Sequence, residues 1–112
     1  MAAGKKIKIE ALRSLDFAAI GAAYVAVGTP TIHPARMILI QNFTDGDLMC
    51  SSDGITDHFP IKLYSAMGLD IATNKTSDDG FFVEKGSRLY VKNLDVPTAG
   101  KIYLTVFYCK QD

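Results

Sequence analysis

The sequence lacks most of the features that announce a catalytic site. Its 112 residues include no tryptophan, only two histidines and only two cysteines. His33 and His58 both lie in turn-like surroundings, and no G-x-S-x-G segment or other nucleophile signature accompanies them. We therefore predict no catalytic residue, no cofactor and no enzymatic activity.

Charge and hydropathy exclude two further classes of partner. Twelve Lys and Arg residues balance twelve Asp and Glu residues, so the formal net charge is zero and nucleic acid is not expected as a partner. The longest weakly polar run, residues 17–28, is about half the length needed to cross a membrane. The first residues, MAAGKKIKIE, contain no apolar signal-peptide core, which predicts a protein made in a cytoplasm.

The cysteines and the aspartates do not form a recognisable metal site. Cys50 and Cys109 are isolated, and in a reducing compartment we predict two buried free thiols, with a disulfide as the alternative. Four aspartates could gather near one turn, but their spacing is not that of a calcium loop and no glutamate follows at the bidentate position. No metal ligand is therefore predicted among Asp45, Asp47, Asp53 and Asp57.

Short strands are the main positive signal. About seven to nine segments alternate apolar and polar residues, and Gly, Pro, Asp or Asn bounds each of them. This pattern is typical of an antiparallel β-sandwich of jelly-roll type. We predict one such domain over residues 12–112, preceded by an N-terminal arm or edge strand over residues 1–11, in which Ile7 and Ile9 share one face and Lys6, Lys8 and Glu10 the other.

The stretch from residue 35 to residue 57 is the best-defined part of this pattern. We predict a β-hairpin in which residues 36–43 and 47–51 pair around an Asp45-Gly46 turn, followed by a second turn at Asp53-Gly54. Residues 12–27 are ambiguous: strand–turn–strand is favoured, with an amphipathic helix as the alternative. Further strands are predicted at residues 58–64, 68–73, 81–84, 88–94 and 101–109. The first of these is predicted to be an edge strand, because Pro60 cannot donate a ladder hydrogen bond.

More apolar residues are present than one core needs. Residues 36–43 are apolar on both faces at their centre, which predicts a cover over the outer face, either a loop or another protein chain. We nominate seven residues as a protein interface, with a two-layer core as the alternative explanation: Ile7, Ile9, Met37, Leu39, Tyr103, Phe107 and Tyr108.

Four segments carry a family resemblance: NFTDGDLMCSSDG, MGLDIATNK, FFVEKGSRLYVKN and KIYLTVFYC. From about residue 12 onward the chain resembles the cement, or staple, proteins that decorate the capsids of epsilon-fifteen-like short-tailed bacteriophages. The resemblance implies a jelly-roll protein on the outer capsid surface of the virion. It also implies that this protein binds the major coat protein, pairs as a homodimer and clamps neighbouring coat subunits without contacting DNA.

Two other functions are compatible with the same sequence features. One is an accessory domain of the phage tail or of the head–tail junction. The other is a carbohydrate-binding, receptor-recognising module, which the absence of tryptophan makes less attractive because sugars commonly stack on exposed aromatic rings.

Overall fold

The computed structural model describes residues 5–70 and 86–111, and these residues form nine β-strands and one short 3-10 helix at Phe17–Ala19. The strands are β1 (Lys5–Ile9), β2 (Arg13–Asp16), β3 (Val25–Ala26), β4 (Ala35–Asn42), β5 (Leu48–Ser51), β6 (Phe59–Ile61), β7 (Ser65–Asp70), β8 (Tyr90–Asn93) and β9 (Lys101–Gln111). The predicted all-β class is confirmed.

The strands form two antiparallel sheets. Sheet A has the order β1-β9-β4-β7, and β2 also pairs with β9; sheet B has the order β3-β8-β5-β6. Because β1 and β2 both pair with β9, one after the other, they act as a single interrupted edge strand. The strand pairs are nested as they would be in one long hairpin: β1 and β2 pair with β9, β3 with β8, β4 with β7, and β5 with β6. Rolling such a hairpin into two sheets produces the predicted jelly roll.

The core lies between the inner faces of the two sheets. Sheet A contributes Ile40, Ile102 and Val106, and sheet B contributes Leu48 and Val91, all with no exposed surface. Their alternation with outward-facing neighbours is the period of two expected of strands covered on one side.

Cys50 belongs to this core. Its thiol is free and fully buried, and burial raises its pKa to about 12. The expected free, buried thiol is therefore found at this position, whereas the side chain of Cys109 lies outside the described part of the structure.

The predicted hairpin between β4 and β5 is wrong. Each strand has the expected position, but β4 pairs with β7 and β9 in sheet A, whereas β5 pairs with β6 and β8 in sheet B. Residues 43–47 therefore carry the chain from one sheet to the other. Gly46 does not adopt a positive φ; instead it is buried, and an added Cβ there would lie 2.6 Å from the carbonyl oxygen of Asp95.

A buried polar network explains why this crossing is stable. The side-chain amide of Asn42 donates to the carbonyls of Gly46, Ile61 and Lys62 at 3.0–3.3 Å. The Thr44 hydroxyl donates to the Asn42 side chain at 2.6 Å, and neither of these two side chains is exposed. Because buried polar groups require partners, these residues fix the route of the crossing.

Residues 12–27 form two strands rather than one helix, as favoured from the sequence. β2 and β3 lie in different sheets, and they are separated by the 3-10 turn at Phe17–Ala19 and by residues 20–24. The Asp16 side chain accepts from the Ala18 amide at 3.1 Å in this turn. The chain then passes Gly21, whose carbonyl accepts from the Asn93 amide at 2.9 Å.

Most of the remaining strand predictions are confirmed. β6 contains Pro60 and forms the edge of sheet B, and Gly54 adopts φ +77 in the predicted second turn. β8 and β9 match their predicted segments, whereas β7 covers residues 65–70 and begins earlier than the predicted segment of 68–73. The predicted structure at residues 71–85, including the strand at 81–84, falls outside the described residues. Within the described residues no helix is long and apolar enough to span a membrane.

Candidate functional site

The outer face of sheet A carries six of the seven nominated residues. Ile9 in β1, Phe107 in β9 and Met37 in β4 are directly opposite one another in the ladder, so their side chains form one row across three strands. The other rows follow from the same register: the outer face of sheet A carries six apolar residues, Ile7, Ile9, Met37, Leu39, Tyr103 and Phe107, together with the polar residues Ser14, Gln41 and Thr105.

This face is mostly apolar and partly open to solvent. Ile7 and Ile9 are 56% and 60% exposed, and the other four side chains are half-buried among their neighbours on the sheet. From the strand spacing of about 4.8 Å and the rise of about 3.4 Å per residue, the face measures roughly 15 by 20 Å, or about 300 Å². An apolar patch of this size is often an interaction site.

Tyr108, the seventh nominated residue, is not on this face. It is opposite Ala35 and Lys8 in the ladder, on the inner side of sheet A, and its ring stacks on His33 with a centroid distance of 3.7 Å and an interplanar angle of 4°. The alternation along β9 that places Tyr103 and Phe107 outward necessarily turns Tyr108 inward.

A buried ion pair fixes the position of β1 relative to the sandwich. The Glu10 carboxylate accepts from Arg13 Nη2 at 2.7 Å, and the two side chains are 2% and 5% exposed. The guanidinium also donates to the carbonyls of Thr29 and Pro30 at 2.7 and 2.9 Å. Glu10 was expected on the polar, solvated face of an amphipathic strand, and nothing in the local sequence indicates that the chain bends there and buries it.

His33 completes the same cluster. Its backbone amide and its Nδ1 both contact the Glu10 carboxylate, at 2.8 and 2.9 Å, while 42% of its side chain stays exposed, as expected for this loop residue. Burial by itself raises the pKa of Glu10, but the hydrogen bonds from His33, Arg13 and the Ile32 amide outweigh burial, so the pKa lies below its ordinary value. The cluster ties the loop of residues 28–34 to the junction of β1 and β2.

The four aspartates of the hypothetical metal site have separate partners. Asp45 binds Thr98, Asp47 accepts from the Leu63 amide, and Asp53 accepts from amides within its own turn. The Thr56 and Ile55 amides lower the pKa of Asp53. Within residues 5–70 and 86–111 no three metal-ligating side chains form a group.

Asp57 instead forms a surface cluster with an aromatic ring and a cation. The Tyr24 hydroxyl donates to Asp57, and Lys92 Nζ lies 3.0 Å from the same carboxylate and 4.8 Å from the Tyr24 ring centre. Partial desolvation, followed by the hydrogen bond to Asp57 and then by the Asp57 charge, raises the pKa of Tyr24 to about 12. The Tyr24 hydroxyl and the Lys92 ammonium both contact the same oxygen, Oδ1, of this carboxylate.

Together, the two-sheet topology and the exposed apolar face define a jelly-roll domain with a surface suited to protein contacts. No protein family and no curated protein sequence matches the chain. Among solved structures, a chain of the "Cyanophage Pam1 capsid asymmetric unit" is similar, with a TM-score of 0.55 and 12% identity over 95% of this chain and 86% of that chain. The Dit protein (gp 19.1) of phage SPP1 is also similar, with a TM-score of 0.44 and 14% identity over 91% of this chain and 49% of that chain. At the identity to the Pam1 chain, the similarity establishes a shared fold.

Proposed function

We propose that this chain is a structural virion protein that binds the outer surface of a phage capsid and links neighbouring coat subunits. The main support is the outer face of sheet A, where six apolar side chains from three strands form one partly exposed surface. The likeness of nearly the whole fold to a chain in a cyanophage capsid unit supports the choice of partner. The proposal assigns the chain no catalytic step and no cofactor.

The size of this face favours a partner that is present in many copies. Burying roughly 300 Å² of apolar surface contributes about 7 kcal/mol at about 25 cal/mol per Å². Association costs about 4–15 kcal/mol in lost translational and rotational freedom. A single contact of this size is therefore weak, and a stable one-to-one interface commonly buries about 800 Å² on each partner.

A weak contact is sufficient on an assembled shell. A protein that binds assembled coat more tightly than free coat subunits shifts the assembly equilibrium towards the shell. Because hundreds of coat subunits offer the same site, many modest contacts add up to a large stabilisation of one particle. The family resemblance also implies that two copies pair as a homodimer, and this pairing is part of the proposed arrangement on the shell.

Co-sedimentation tests the proposal. The purified chain is mixed with assembled coat shells that lack it, and the bound copies are counted per shell at saturation. Hundreds of copies per shell support the proposal. A handful of copies indicates a component of the portal vertex or tail, and no binding overturns a capsid role and directs the work to glycan screening.

Two methionines provide a matched pair of variants for the same assay. Met37 lies on the outer face of sheet A, and Met49 lies at an equivalent outward position of β5 in sheet B; both are half-buried. Met37→Gln is expected to weaken shell binding at least threefold, whereas Met49→Gln is expected to leave it unchanged. Equal binding by the two variants would show that the outer face of sheet A is not the surface that binds the shell.

A further inference from the structure

A second apolar surface lies at one end of the sandwich, where three connections meet. These connections are the crossing from β4 to β5, the turn from β6 to β7, and the loop from β8 to β9. Each exposes large apolar side chains that have no place in the core. The loop-end surface comprises Phe43 (47% exposed), Leu63 (43%), Tyr64 (64%), Leu94 (50%) and Val96 (75%).

Asp47 holds the three connections together. Its side chain accepts a hydrogen bond from the Leu63 amide at 3.0 Å, and its backbone carbonyl accepts from the amides of Leu94 and Asp95 at 2.9 and 3.1 Å. Close packing of Gly46 beneath Asp95 adds a second fixed point. The loop-end surface is therefore preorganised, which lowers the entropy that a partner must offset on binding.

Tyr64 is an independent sign of function at this end. It adopts φ +52 and is the only residue other than glycine with a positive φ among the described residues. The left-handed conformation is unfavourable for a bulky side chain, and such strain is concentrated at functional sites. Because the ring is 64% exposed, core packing does not account for a tyrosine at this strained position.

The loop-end surface adjoins the outer face of sheet A. The ring of Phe43 contacts the ring of Tyr103 edge to face, with centroids 5.6 Å apart, so the two surfaces meet along this aromatic pair. The chain thus presents two apolar surfaces in different directions: one across the strands of sheet A and the other at their end.

We infer that the loop-end surface docks on a second coat subunit, next to the one that binds the outer face of sheet A. The inference rests on the proposed function and deepens it, since a protein that links two subunits needs two contact surfaces. With about 150–250 Å² for a fully exposed aromatic side chain, the five residues present roughly 400–500 Å². This area is again below the roughly 800 Å² per partner of a stable one-to-one interface, so the occupant is an apolar patch of the repeating shell.

Shell co-sedimentation with two loop-end variants tests the inference. Tyr64→Gly removes the ring and relieves the backbone strain, so this variant is expected to remain folded, and thermal unfolding of the free chain checks that it does. Val96→Ser removes an apolar side chain that is 75% exposed. The matched control is Ile55→Ser, because Ile55 is a branched apolar residue, 84% exposed, in the loop between β5 and β6.

The shell binding of these variants distinguishes the inference from the proposed function. We expect Tyr64→Gly and Val96→Ser each to weaken shell binding at least threefold, and the double variant at least tenfold, while Ile55→Ser binds as the unchanged chain does. Heat resistance of the decorated shell should fall in parallel. If the unchanged chain binds shells and the double variant binds equally well, the inference is overturned and the proposed function stands. If the unchanged chain does not bind shells, both fail.

Discussion

The carboxylate of Glu10 and the guanidinium of Arg13 form a 2.7 Å ion pair that is almost completely removed from solvent. The pair lies where β1 gives way to β2, and the Glu10 amide donates to the carbonyl of Val106 at 2.9 Å in the same place. Since β1 contributes Ile7 and Ile9 to the outer face of sheet A, this pair also positions part of the proposed docking surface.

Removing the charge of Glu10 is expected to destabilise the fold strongly. Glu10→Gln leaves the Arg13 guanidinium buried without its counter-charge, which typically costs about 3–5 kcal/mol. For a domain of this size that corresponds to a fall in Tm of about 10–20 °C. Thermal unfolding followed by circular dichroism measures the change. Asp95→Asn, at an exposed carboxylate, serves as the control and should change the stability by less than about 0.5 kcal/mol.

The same carboxylate predicts how stability depends on pH. The pKa of Glu10 lies below its ordinary value of 4.5 in the folded protein, with Arg13 and His33 facing the carboxylate, so the unfolded chain binds the proton more readily. Its contribution to stability is therefore fully present above pH 4.5 and is lost as the pH falls through the folded pKa. Asp45 and Asp57, whose pKa values are also lowered, act in the same direction.

Urea unfolding at a series of pH values tests this dependence. The free energy of unfolding of the unchanged chain should fall as the pH drops below 4.5, and the fall should be smaller in Glu10→Gln. An equal pH dependence in the two proteins would assign the effect to the other carboxylates.

Gly100 is predicted to be intolerant of any side chain. It adopts φ +93, and an added Cβ would lie 2.0 Å from the carbonyl oxygen of Phe43. Gly100→Ala is expected to lower the free energy of unfolding by about 2–4 kcal/mol, from left-handed backbone strain together with overpacking. Gly21→Ala is the matched control, because an added Cβ there meets no atom within 4 Å; a comparable loss in both variants would contradict this explanation.

Cys50 is predicted to be chemically inert in the folded protein. Its pKa rises from 9.0 to about 12, so about a thousandfold less thiolate is present at neutral pH, and the side chain has no exposed surface. In a Cys109→Ser background, a thiol reagent should modify the folded chain very slowly and the chain unfolded in guanidinium chloride rapidly. Rapid modification of the folded chain would show that the strand pair around Cys50 opens.

Local sequence signals predicted the strands well but predicted one pairing wrongly. The alternation in β9 and the turn residues Asp53-Gly54 were sufficient to predict that strand and that turn, because strand periodicity and turn chemistry are local properties. The Asp45-Gly46 signal failed because Asn42 and Thr44 find their partners in the crossing segment and in residues 61–62, which are distant in sequence. A hairpin signal cannot report such contacts.

Some residues of the two candidate surfaces could be predicted from the sequence, and others could not. The excess of apolar residues in β4 and β9 indicated an interface, and Ile7 and Ile9 were nominated from alternation alone. None of the five residues of the loop-end surface was nominated, although large apolar residues within turn segments were a signal that could have identified them. Their exposure depends on how the turns pack around Asp47, which sequence periodicity does not describe.

The all-β class and the position of most strands follow from the sequence alone, because the alternation of residues and the turn residues are local properties. Three features follow from the tertiary structure and not from the local sequence: which strands pair, the joint burial of Glu10 and Arg13, and the shared face of six apolar residues from three strands. These features depend on contacts between residues distant in the chain, and such contacts form only when two sheets pack and every buried polar group finds a partner.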